Sequence, residues 1–205
     1  MEKIHRNTED LPLLVLASSS PRRQQLIHLL GLPVEIETSD VEEKVEAEWT
    51  PAHAVEQLAR MKASAVVEQR GARQVQGLVI GADTVVALED QILGKPTDDT
   101  DALRMLRMLQ GRAHDVYTGI ACMDMVTGTV LVRHRRTRVW MRQRTDEQLL
   151  SYIATGEPRD KAGAYGIQGV GSTMIDRIDG CYFNVVGLSV SLLSEMLESF
   201  GIETP

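Results

Sequence analysis

A group of hydroxyl and guanidinium side chains near the start of the chain has the composition of a phosphate-binding turn. Residues 17–23 read Ala-Ser-Ser-Ser-Pro-Arg-Arg and lie between an apolar run and a helical pattern. Ser20 suits an N-cap and Pro21 the first helical position, which predicts a helix beginning there. A helix start offers free N–H groups, and arginine binds phosphate in a bidentate fork, so the segment predicts a phosphorylated ligand. A capped helix with a solvated basic first turn explains the same residues equally well.

Two charged residues fall where the pattern calls for apolar side chains. Asp83 lies inside the apolar run 78–88, where an unpaired carboxylate is costly unless it meets a cation or a metal ion. A turn cap next to Gly81 and a bound divalent ion each satisfy that need. Lys62 lies on the inward stripe of the predicted helix 50–70. There it either snorkels to the edge of the stripe or reaches an anion.

Two turns carry further candidate ligand-binding residues. Lys95 precedes a proline that restrains its backbone, so its side chain projects from a fixed point. The segment 160–169 is rich in glycine, which lets the backbone approach a ligand closely, and Gln168 offers both a donor and an acceptor to a base edge. A plain surface turn and a flexible surface loop are the simpler alternatives.

The composition restricts the class of protein. The 205 residues include 22 basic and 29 acidic side chains, a net charge of −7 that argues against broad nucleic-acid binding. The arginine-rich run 133–138 is therefore predicted to be a solvated edge strand. The two cysteines show no metal-ligand spacing, and no apolar run reaches the roughly 18 residues of a membrane span. With no signal-peptide pattern at the start, we expect a cytoplasmic protein without nucleic-acid or membrane partners.

The predicted elements alternate between strands and helices, with hairpins mixed in, which indicates an α/β domain around a mixed sheet. Residues 1–12 are predicted to be a loose tail and residues 13–205 a single domain. Asp179-Gly180 is a strong signal for a hairpin between two short strands. The patterns predict strands at 13–16, 33–38, 78–88, 116–125 and 130–141, and helices at 24–30, 50–70, 98–109, 145–154 and 189–200.

Taken together, these segments resemble the Maf family of nucleoside triphosphate pyrophosphatases. The matching segments, in the order typical of the family, are 17–23, 39–43, 58–63, 81–86, 94–96 and 160–169. The resemblance implies an inosine-triphosphatase-like α/β fold, a mixed central sheet flanked by helices with a cleft between two lobes. It also implies hydrolysis of a nucleoside triphosphate to the monophosphate and pyrophosphate, aided by Mg²⁺ or Mn²⁺.

The resemblance further implies a role for individual residues. The branch of the family that acts on dTTP and UTP is the match, and its distinguishing positions fall on Arg22, Thr84 and Gln168. The general base falls on Asp83. The metal is expected on Asp83 and Glu43, with Glu42 as a further candidate. The expected substrate-binding residues are Ser18, Ser20, Arg22, Arg23, Lys62, Thr84, Lys95 and Gln168.

Two alternatives stay open beside a dTTP/UTP pyrophosphatase that keeps the nucleotide pool in order. One is a nucleotide-binding regulator of cell division or septum formation, and the other is a pyrophosphatase for damaged purine triphosphates. A homodimer is also left open. The central expectation is that charged groups from distant segments converge in one pocket, with the Asp83 carboxylate near Lys62 and Arg22.

Overall fold

The computed structural model describes residues 12–71, 77–89 and 91–205. Almost all of the predicted N-terminal tail therefore lies outside the described residues. The described strands are β1 (Leu14–Ala17), β2 (Val34–Glu37), β3 (Leu78–Leu88), β4 (Gln91–Leu93), β5 (Ala113–Asp124), β6 (Val130–Met141) and β7 (Ile175–Asp179). The described helices are α1 (Pro21–Ile27), α2 (Pro51–Arg70), α3 (Asp99–Leu109), α4 (Asp146–Ile153), α5 (Tyr182–Val186) and α6 (Val190–Glu198).

The seven strands form one mixed sheet, as the sequence predicts. The strand order is β2-β1-β3-β5-β6-β7, and β4 pairs with the end of β3. Strand β1 runs parallel to β2 and β3, whereas the pairs β3–β5, β5–β6 and β6–β7 are antiparallel. The sheet therefore has a parallel half, to which the first strands of the chain belong, and an antiparallel half formed mainly by the long strands.

The helix boundaries follow the capping signals of the sequence. Thr50 accepts a hydrogen bond from the N–H of His53 at the start of α2, and Asp98 accepts one from Asp101 at the start of α3. Thr145 and Gln148 form a complete capping box at α4. Helix α1 ends in a 3-10 turn, His28–Leu30, before a left-handed glycine. No helix in the described ranges is long and apolar enough to cross a membrane.

Two glycines allow α2 to lie directly on the sheet. A Cβ atom added at Gly81 of β3 would be 2.0 Å from the carbonyl oxygen of Ala59, and one at Gly119 of β5 would be 2.2 Å from that of Val55. Gly81 and Asp83 are two residues apart on β3 and share the face that α2 covers. Since Lys62 follows Ala59 by about one helical turn, this contact brings Lys62 over Asp83.

Separate apolar clusters pack on the sheet, and members of two of them contribute to one cleft. One cluster joins β1, β3 and β5 to α1 and α6, and includes Leu16, Ile80 and Leu193. Another lies at the far end of the long strands under α3 and α4, and includes Leu106 and Leu149. Residues of both clusters line one cleft, among them Val186 of the first cluster and Val86 of the second.

The predicted hairpin at Asp179-Gly180 is wrong. Strand β7 ends at Asp179, and the chain continues into the short helix α5 instead of a second strand. The reason is Asn184, which is fully buried and donates hydrogen bonds to the carbonyl oxygen of Val116 and the hydroxyl of Thr137. These distant partners draw the segment against β5 and β6, and they override the local turn signal.

The arginine-rich run of β6 is an edge only in part. Strand β6 stands between β5 and β7, but β7 pairs with residues from Arg138 to Met141, so the described residues 133–137 pair with β5 alone. Side chains of residues 133–137 contact acidic residues of the protein. Arg135 contacts Glu195 at 3.2 Å, and His134 contacts Glu56 at 2.7 Å. The prediction of an edge strand is confirmed for residues 133–137.

Replacing Gly119 with alanine is expected to destabilise the protein by about 2–3 kcal/mol, because the new methyl group meets the backbone of α2 and cannot move aside. Gly94→Ala is the control, since a Cβ there has no atom within 4 Å. Urea denaturation of both variants measures the difference. Equal stability of the two variants would contradict the close contact between α2 and β5.

Candidate active site

A cleft of about 900 Å³ gathers the residues selected from the sequence. Its size is that of a small-molecule site rather than a packing defect. Three distant parts of the chain meet there: the serine turn before α1, the middle of β3 with the α2 residue above it, and the glycine-rich segment after α4. The predicted residues that line it are Ser18, Ser20, Arg22, Arg23, Glu43, Lys62, Asp83, Thr84, Lys95 and Gln168.

The ammonium group of Lys62 lies between two carboxylates at the centre of the cleft. Its Nζ is 2.6 Å from Oδ1 of Asp83 and 2.6 Å from Oε1 of Glu43. Lys62 and Asp83 are both buried, at 7% and 6% exposure. The interpretation of Lys62 as a snorkelling side chain is therefore wrong, because it reaches an anion. The turn-cap interpretation of Asp83 is also wrong, since Asp83 lies in mid-strand opposite Gly119.

Glu43 brings a third segment to this cluster. It lies in the connection between β2 and α2, and its Oε2 is 3.5 Å from Nζ of Lys95. Burial opposes the ionisation of Glu43, but the hydrogen bond to Lys62 and the charges of Lys62, Lys95 and Arg23 outweigh it. The pKa of Glu43 is consequently below its ordinary value. Glu43 thus contributes negative charge between two lysines.

The two arginines of the serine turn point to different partners. The guanidinium of Arg23 donates to the carbonyl oxygen of Gly187 at 2.8 Å and to the hydroxyl of Thr84 at 3.0 Å. Burial lowers the pKa of Arg23, although the charges of Asp83 and Glu43 oppose that shift. Arg22 instead reaches across the cleft and contacts Oδ2 of Asp160 at 3.0 Å. Arg23 therefore holds the wall of the cleft beside Asp83, and Arg22 reaches across the cleft to Asp160.

The start of α1 has the predicted position but a different hydrogen-bond pattern. Ser20 is the N-cap residue, yet its hydroxyl makes no capping hydrogen bond. Its N–H donates to the hydroxyl of Ser18 at 3.2 Å, and Gln24 donates to the carbonyl oxygen of Ser18 at 3.3 Å. The serines therefore form a tight turn that lines the cleft, and the prediction of Ser20 as the N-cap residue is confirmed, although its hydroxyl does not cap the helix.

A series of buried hydrogen bonds holds the Thr84 hydroxyl in place. This hydroxyl lies 2.9 Å from that of Thr118, which in turn donates to the carbonyl oxygen of Asn184 at 2.8 Å. Thr118 and Asn184 are both fully buried. This series ties β3, β5 and α5 together at the point where Arg23 meets Thr84. Thr118 and Asn184 were missed by the sequence analysis, because hydroxyl and amide groups in apolar strands give no pattern of their own.

The glycine-rich segment forms the opposite wall. It contains three 3-10 turns, Glu157–Asp160, Ala162–Ala164 and Gly169–Met174. Tyr165 is buried and its hydroxyl lies 2.7 Å from Nε2 of His114. Burial lowers the pKa of His114 to about 4, so this histidine is neutral at pH 7. Gln168 is exposed and lines the cleft beyond Tyr165.

Two acidic residues of this wall were also missed as individual candidates. Asp160 pairs with Arg22 and accepts a hydrogen bond from Lys161 at 2.7 Å. Burial opposes its ionisation, but these two cations outweigh it and lower the pKa of Asp160. Glu157 accepts hydrogen bonds from the backbone of the same wall. The one available signal was the position of these two acidic residues, three residues apart, at the start of a glycine-rich loop.

The carboxylates of this cleft fit a divalent cation that is held jointly with a substrate. Within residues 12–71, 77–89 and 91–205 there is no group of three or more His, Cys, Asp or Glu side chains arranged for a metal ion. Mg²⁺ in nucleotide sites usually takes one or two carboxylates and completes its shell with water and phosphate oxygens. Lys62 occupies the point between Oδ1 of Asp83 and Oε1 of Glu43, so a cation would be held by the second oxygen of each carboxylate. Glu42 is not among the residues that line the cleft.

The arrangement as a whole combines anionic and cationic surfaces in one enclosed space. Asp83 and Glu43 can hold a cation or accept a proton, while Arg22, Arg23, Lys62 and Lys95 can neutralise several phosphate charges. A ligand that carries both a chelated cation and a chain of phosphates matches both sets of groups at once. The geometry therefore favours chemistry at a phosphoanhydride bond.

Comparisons with known proteins identify the relatives of this chain. Residues 13–200 match the family model described as Maf-like protein. A relative from Desulforamulus reducens, named dTTP/UTP pyrophosphatase, is 50% identical over 190 residues, which cover 93% of this chain and 97% of the relative. A relative of the same name from Bacillus cereus is 42% identical over 200 residues, which cover 98% of this chain and 96% of the relative.

A solved structure supports the fold alone. The Ham1 protein of Staphylococcus aureus superposes with a TM-score of 0.56 and covers 92% of this chain and 99% of its own, at 15% sequence identity. The expected α/β architecture, a mixed sheet flanked by helices beside a cleft, is confirmed by the strand order and by this likeness.

Replacing Lys62 with methionine is expected to reduce the free energy of unfolding by about 3 kcal/mol at pH 7, because the buried Asp83 carboxylate loses its partner. Adding Asp83→Asn should recover part of that loss, with a coupling energy of about 2 kcal/mol in the double-mutant cycle. The control is Lys44→Met, an exposed lysine 3.7 Å from Glu46, which should change stability by less than about 1 kcal/mol. A Lys62→Met variant as stable as Lys44→Met would contradict the assignment of a buried ion pair.

Proposed function

This chain belongs to the Maf family, and on that premise we propose that it hydrolyses nucleoside triphosphates to the monophosphate and pyrophosphate, with dTTP and UTP as preferred substrates. The observation that carries the proposal is the contact of Lys62 with both Asp83 and Glu43 in a cleft that two arginines and a second lysine also line. The names of the relatives at 42–50% identity support the same substrates.

The cationic groups are proposed to bind the triphosphate. Arg22 and Lys95 both line the cleft and can contact the β- and γ-phosphates, while the serine turn offers the hydroxyl groups of Ser18 and Ser20. Negative charge grows on the leaving pyrophosphate during the reaction. Preorganised donors in a cleft stabilise that charge more strongly in the transition state than in the substrate, which is the source of the rate enhancement.

Asp83 is proposed to act on the attacking water. Its carboxylate lies beside the Lys62 ammonium, which compensates its negative charge in a buried position. A carboxylate held there can orient a water toward the α-phosphorus and accept its proton as the new P–O bond forms. Lys62 is then close enough to stabilise both Asp83 and the phosphate oxygens that gain charge.

Asp83 and Glu43 are also the proposed ligands of a divalent cation, Mg²⁺ or Mn²⁺. The chemistry that such a cation supplies when bound is neutralisation of phosphate oxygens and acidification of a coordinated water. Glu43 suits this task because the hydrogen bond from Lys62 and the nearby cationic groups outweigh burial and lower its pKa, which favours the charged form that a metal ligand needs. Binding of the triphosphate and acceptance of the proton are assigned to side chains of the protein.

Selection of the base is proposed to depend on Gln168, with Arg22 and Thr84 as the other positions that distinguish the pyrimidine branch. The Gln168 amide can pair with a carbonyl oxygen and an N–H group of thymine or uracil at the same time. It lines the cleft on the wall opposite Arg23 and Thr84. A cytoplasmic role in nucleotide-pool maintenance, without a nucleic-acid partner and with a homodimer left open, completes the proposal.

Asp83→Asn is expected to lower the rate of pyrophosphate release from dTTP by at least about a thousandfold, because the amide can neither accept the proton nor hold a cation tightly. Asp176→Asn, an exposed change on β7, is the control and should keep the wild-type rate. The assay is pyrophosphate release from a panel of triphosphates with Mg²⁺ or Mn²⁺.

Each other outcome of that panel identifies a competing function. Binding of dTTP by the wild type without release of product would favour a nucleotide-sensing regulator. Faster turnover of inosine triphosphate than of dTTP and UTP would favour a pyrophosphatase for damaged purine nucleotides. Wild-type activity in Asp83→Asn would refute the assignment of Asp83.

Gln168→Glu is expected to change base preference while it leaves phosphate chemistry in place. A carboxylate accepts hydrogen bonds but donates none, so it repels the thymine carbonyl and suits the amino group of cytosine. The ratio of kcat/KM for dTTP to that for dCTP should fall by at least about tenfold. An unchanged ratio in an active Gln168→Glu enzyme would remove Gln168 from base selection.

A further inference from the structure

We propose that Glu157 is a positioning residue for base selection, because its carboxylate fixes the backbone on both sides of Gln168. The inference rests on the proposed function and concerns the specificity of the same cleft. Glu157 opens the first 3-10 turn of the glycine-rich wall, directly after Gly156 in a left-handed conformation. Glu157 is not among the residues that line the cleft, so it acts through the loop and not by contact with a ligand.

The carboxylate of Glu157 holds the segment that follows Gln168. Its Oε2 accepts a hydrogen bond from the N–H of Val170 at 2.9 Å, and its Oε1 accepts one from the N–H of Gly171 at 3.0 Å. These N–H groups belong to the first turn of the 3-10 helix Gly169–Met174, for which Gln168 is the N-cap residue without a side-chain cap. The Glu157 carboxylate therefore caps this 3-10 helix in place of the Gln168 side chain.

The same carboxylate also holds the segment that precedes Gln168, through one intermediate. The hydroxyl of Tyr152 donates to Oε1 of Glu157 at 3.0 Å and accepts a hydrogen bond from the N–H of Gly166 at 3.1 Å. Tyr152 is 4% exposed, so this link is shielded from water. Gly166 and Val170 stand two residues before and two residues after Gln168, and both are tied to one carboxylate.

Two glycines of the loop leave the space that this carboxylate and its partners occupy. A Cβ atom at Gly169 would lie 2.6 Å from Oε2 of Glu157, and Gly169 has a positive φ of 65°. A Cβ atom at Gly171 would lie 2.4 Å from the carbonyl oxygen of Gly166 and 2.7 Å from the hydroxyl of Tyr152. Side chains at these positions would displace the carboxylate, so the glycines and Glu157 form one packed unit.

Gln168 depends on this unit because its own side chain is not fixed. In the part of the chain that the structure describes, the Gln168 side chain is exposed and makes no hydrogen bond. Its placement in the cleft is therefore determined by the backbone that Glu157 and Tyr152 hold. A shift of that backbone by a fraction of an ångström moves the amide away from a base edge, while Lys62 and Asp83 stay in place on other elements.

The test is Glu157→Gln, which keeps the size of the side chain and replaces one oxygen with an amide that cannot accept from the backbone N–H. We expect the ratio of kcat/KM for dTTP to that for dCTP to fall by about tenfold, through a higher KM for dTTP, with kcat changed by less than about threefold. Inorganic tripolyphosphate, which has no base, should inhibit the variant with a Ki within about twofold of the wild type.

Two further variants keep the inference testable. Glu198→Gln is the matched control, an exposed glutamate on α6 that does not line the cleft, and its dTTP-to-dCTP ratio should equal the wild-type ratio. Tyr152→Phe removes only the hydroxyl between Glu157 and Gly166, and its ratio should fall in the same direction. If Glu157→Gln does not fold, Tyr152→Phe carries the test alone.

The failure of this inference is distinct from the failure of the proposed function. A folded Glu157→Gln or Tyr152→Phe enzyme with the wild-type dTTP-to-dCTP ratio overturns the positioning role, and so does a Ki for tripolyphosphate that rises as much as the KM for dTTP. A wild-type protein that releases no pyrophosphate from any triphosphate overturns the proposed function itself.

Discussion

The buried ammonium of Lys62 between two carboxylates is the constraint on which the rest of the structure depends. Burying Asp83 in mid-strand is favourable only if a cation reaches it, and Lys62 reaches it at 2.6 Å because α2 lies on the glycines of β3 and β5. The close approach of helix and sheet, the stability of the core and the charge of the cleft are therefore parts of one arrangement.

Basic groups accumulate in the cleft although the whole chain has an excess of acidic residues. The protein carries a net charge of −7, yet the cleft holds two arginines and three lysines beside its acidic residues, which include Asp83 and Glu43. Each charge reduces the cost of burying its neighbour, which lets a rigid set of donors persist in a partly dry space. Such a set suits a polyphosphate, whose charges and chelated cation complement both signs.

Much of this arrangement could be predicted from the sequence, since Lys62 and Asp83 interrupt apolar patterns and Thr50, Asp98 and Thr145 are local capping signals. Those features depend on neighbours within a few residues. The structure of α5 could not be predicted, because Asn184 bonds partners on β5 and β6 that are distant in sequence. Glu157 was missed for the same reason, since its partners become visible only when the loop is folded.

The central claim is that phosphates and base occupy one continuous cleft, with the reacting phosphorus next to Asp83. The most direct measurement is a crystal structure of the protein with a non-hydrolysable α,β-imido analogue of dTTP and Mg²⁺. The account predicts the α-phosphate beside the Asp83 carboxylate, the outer phosphates against Arg22 and Lys95, and thymine against Gln168. An analogue bound with its α-phosphate away from Asp83, or with its base outside the wall that carries Gln168, would contradict it.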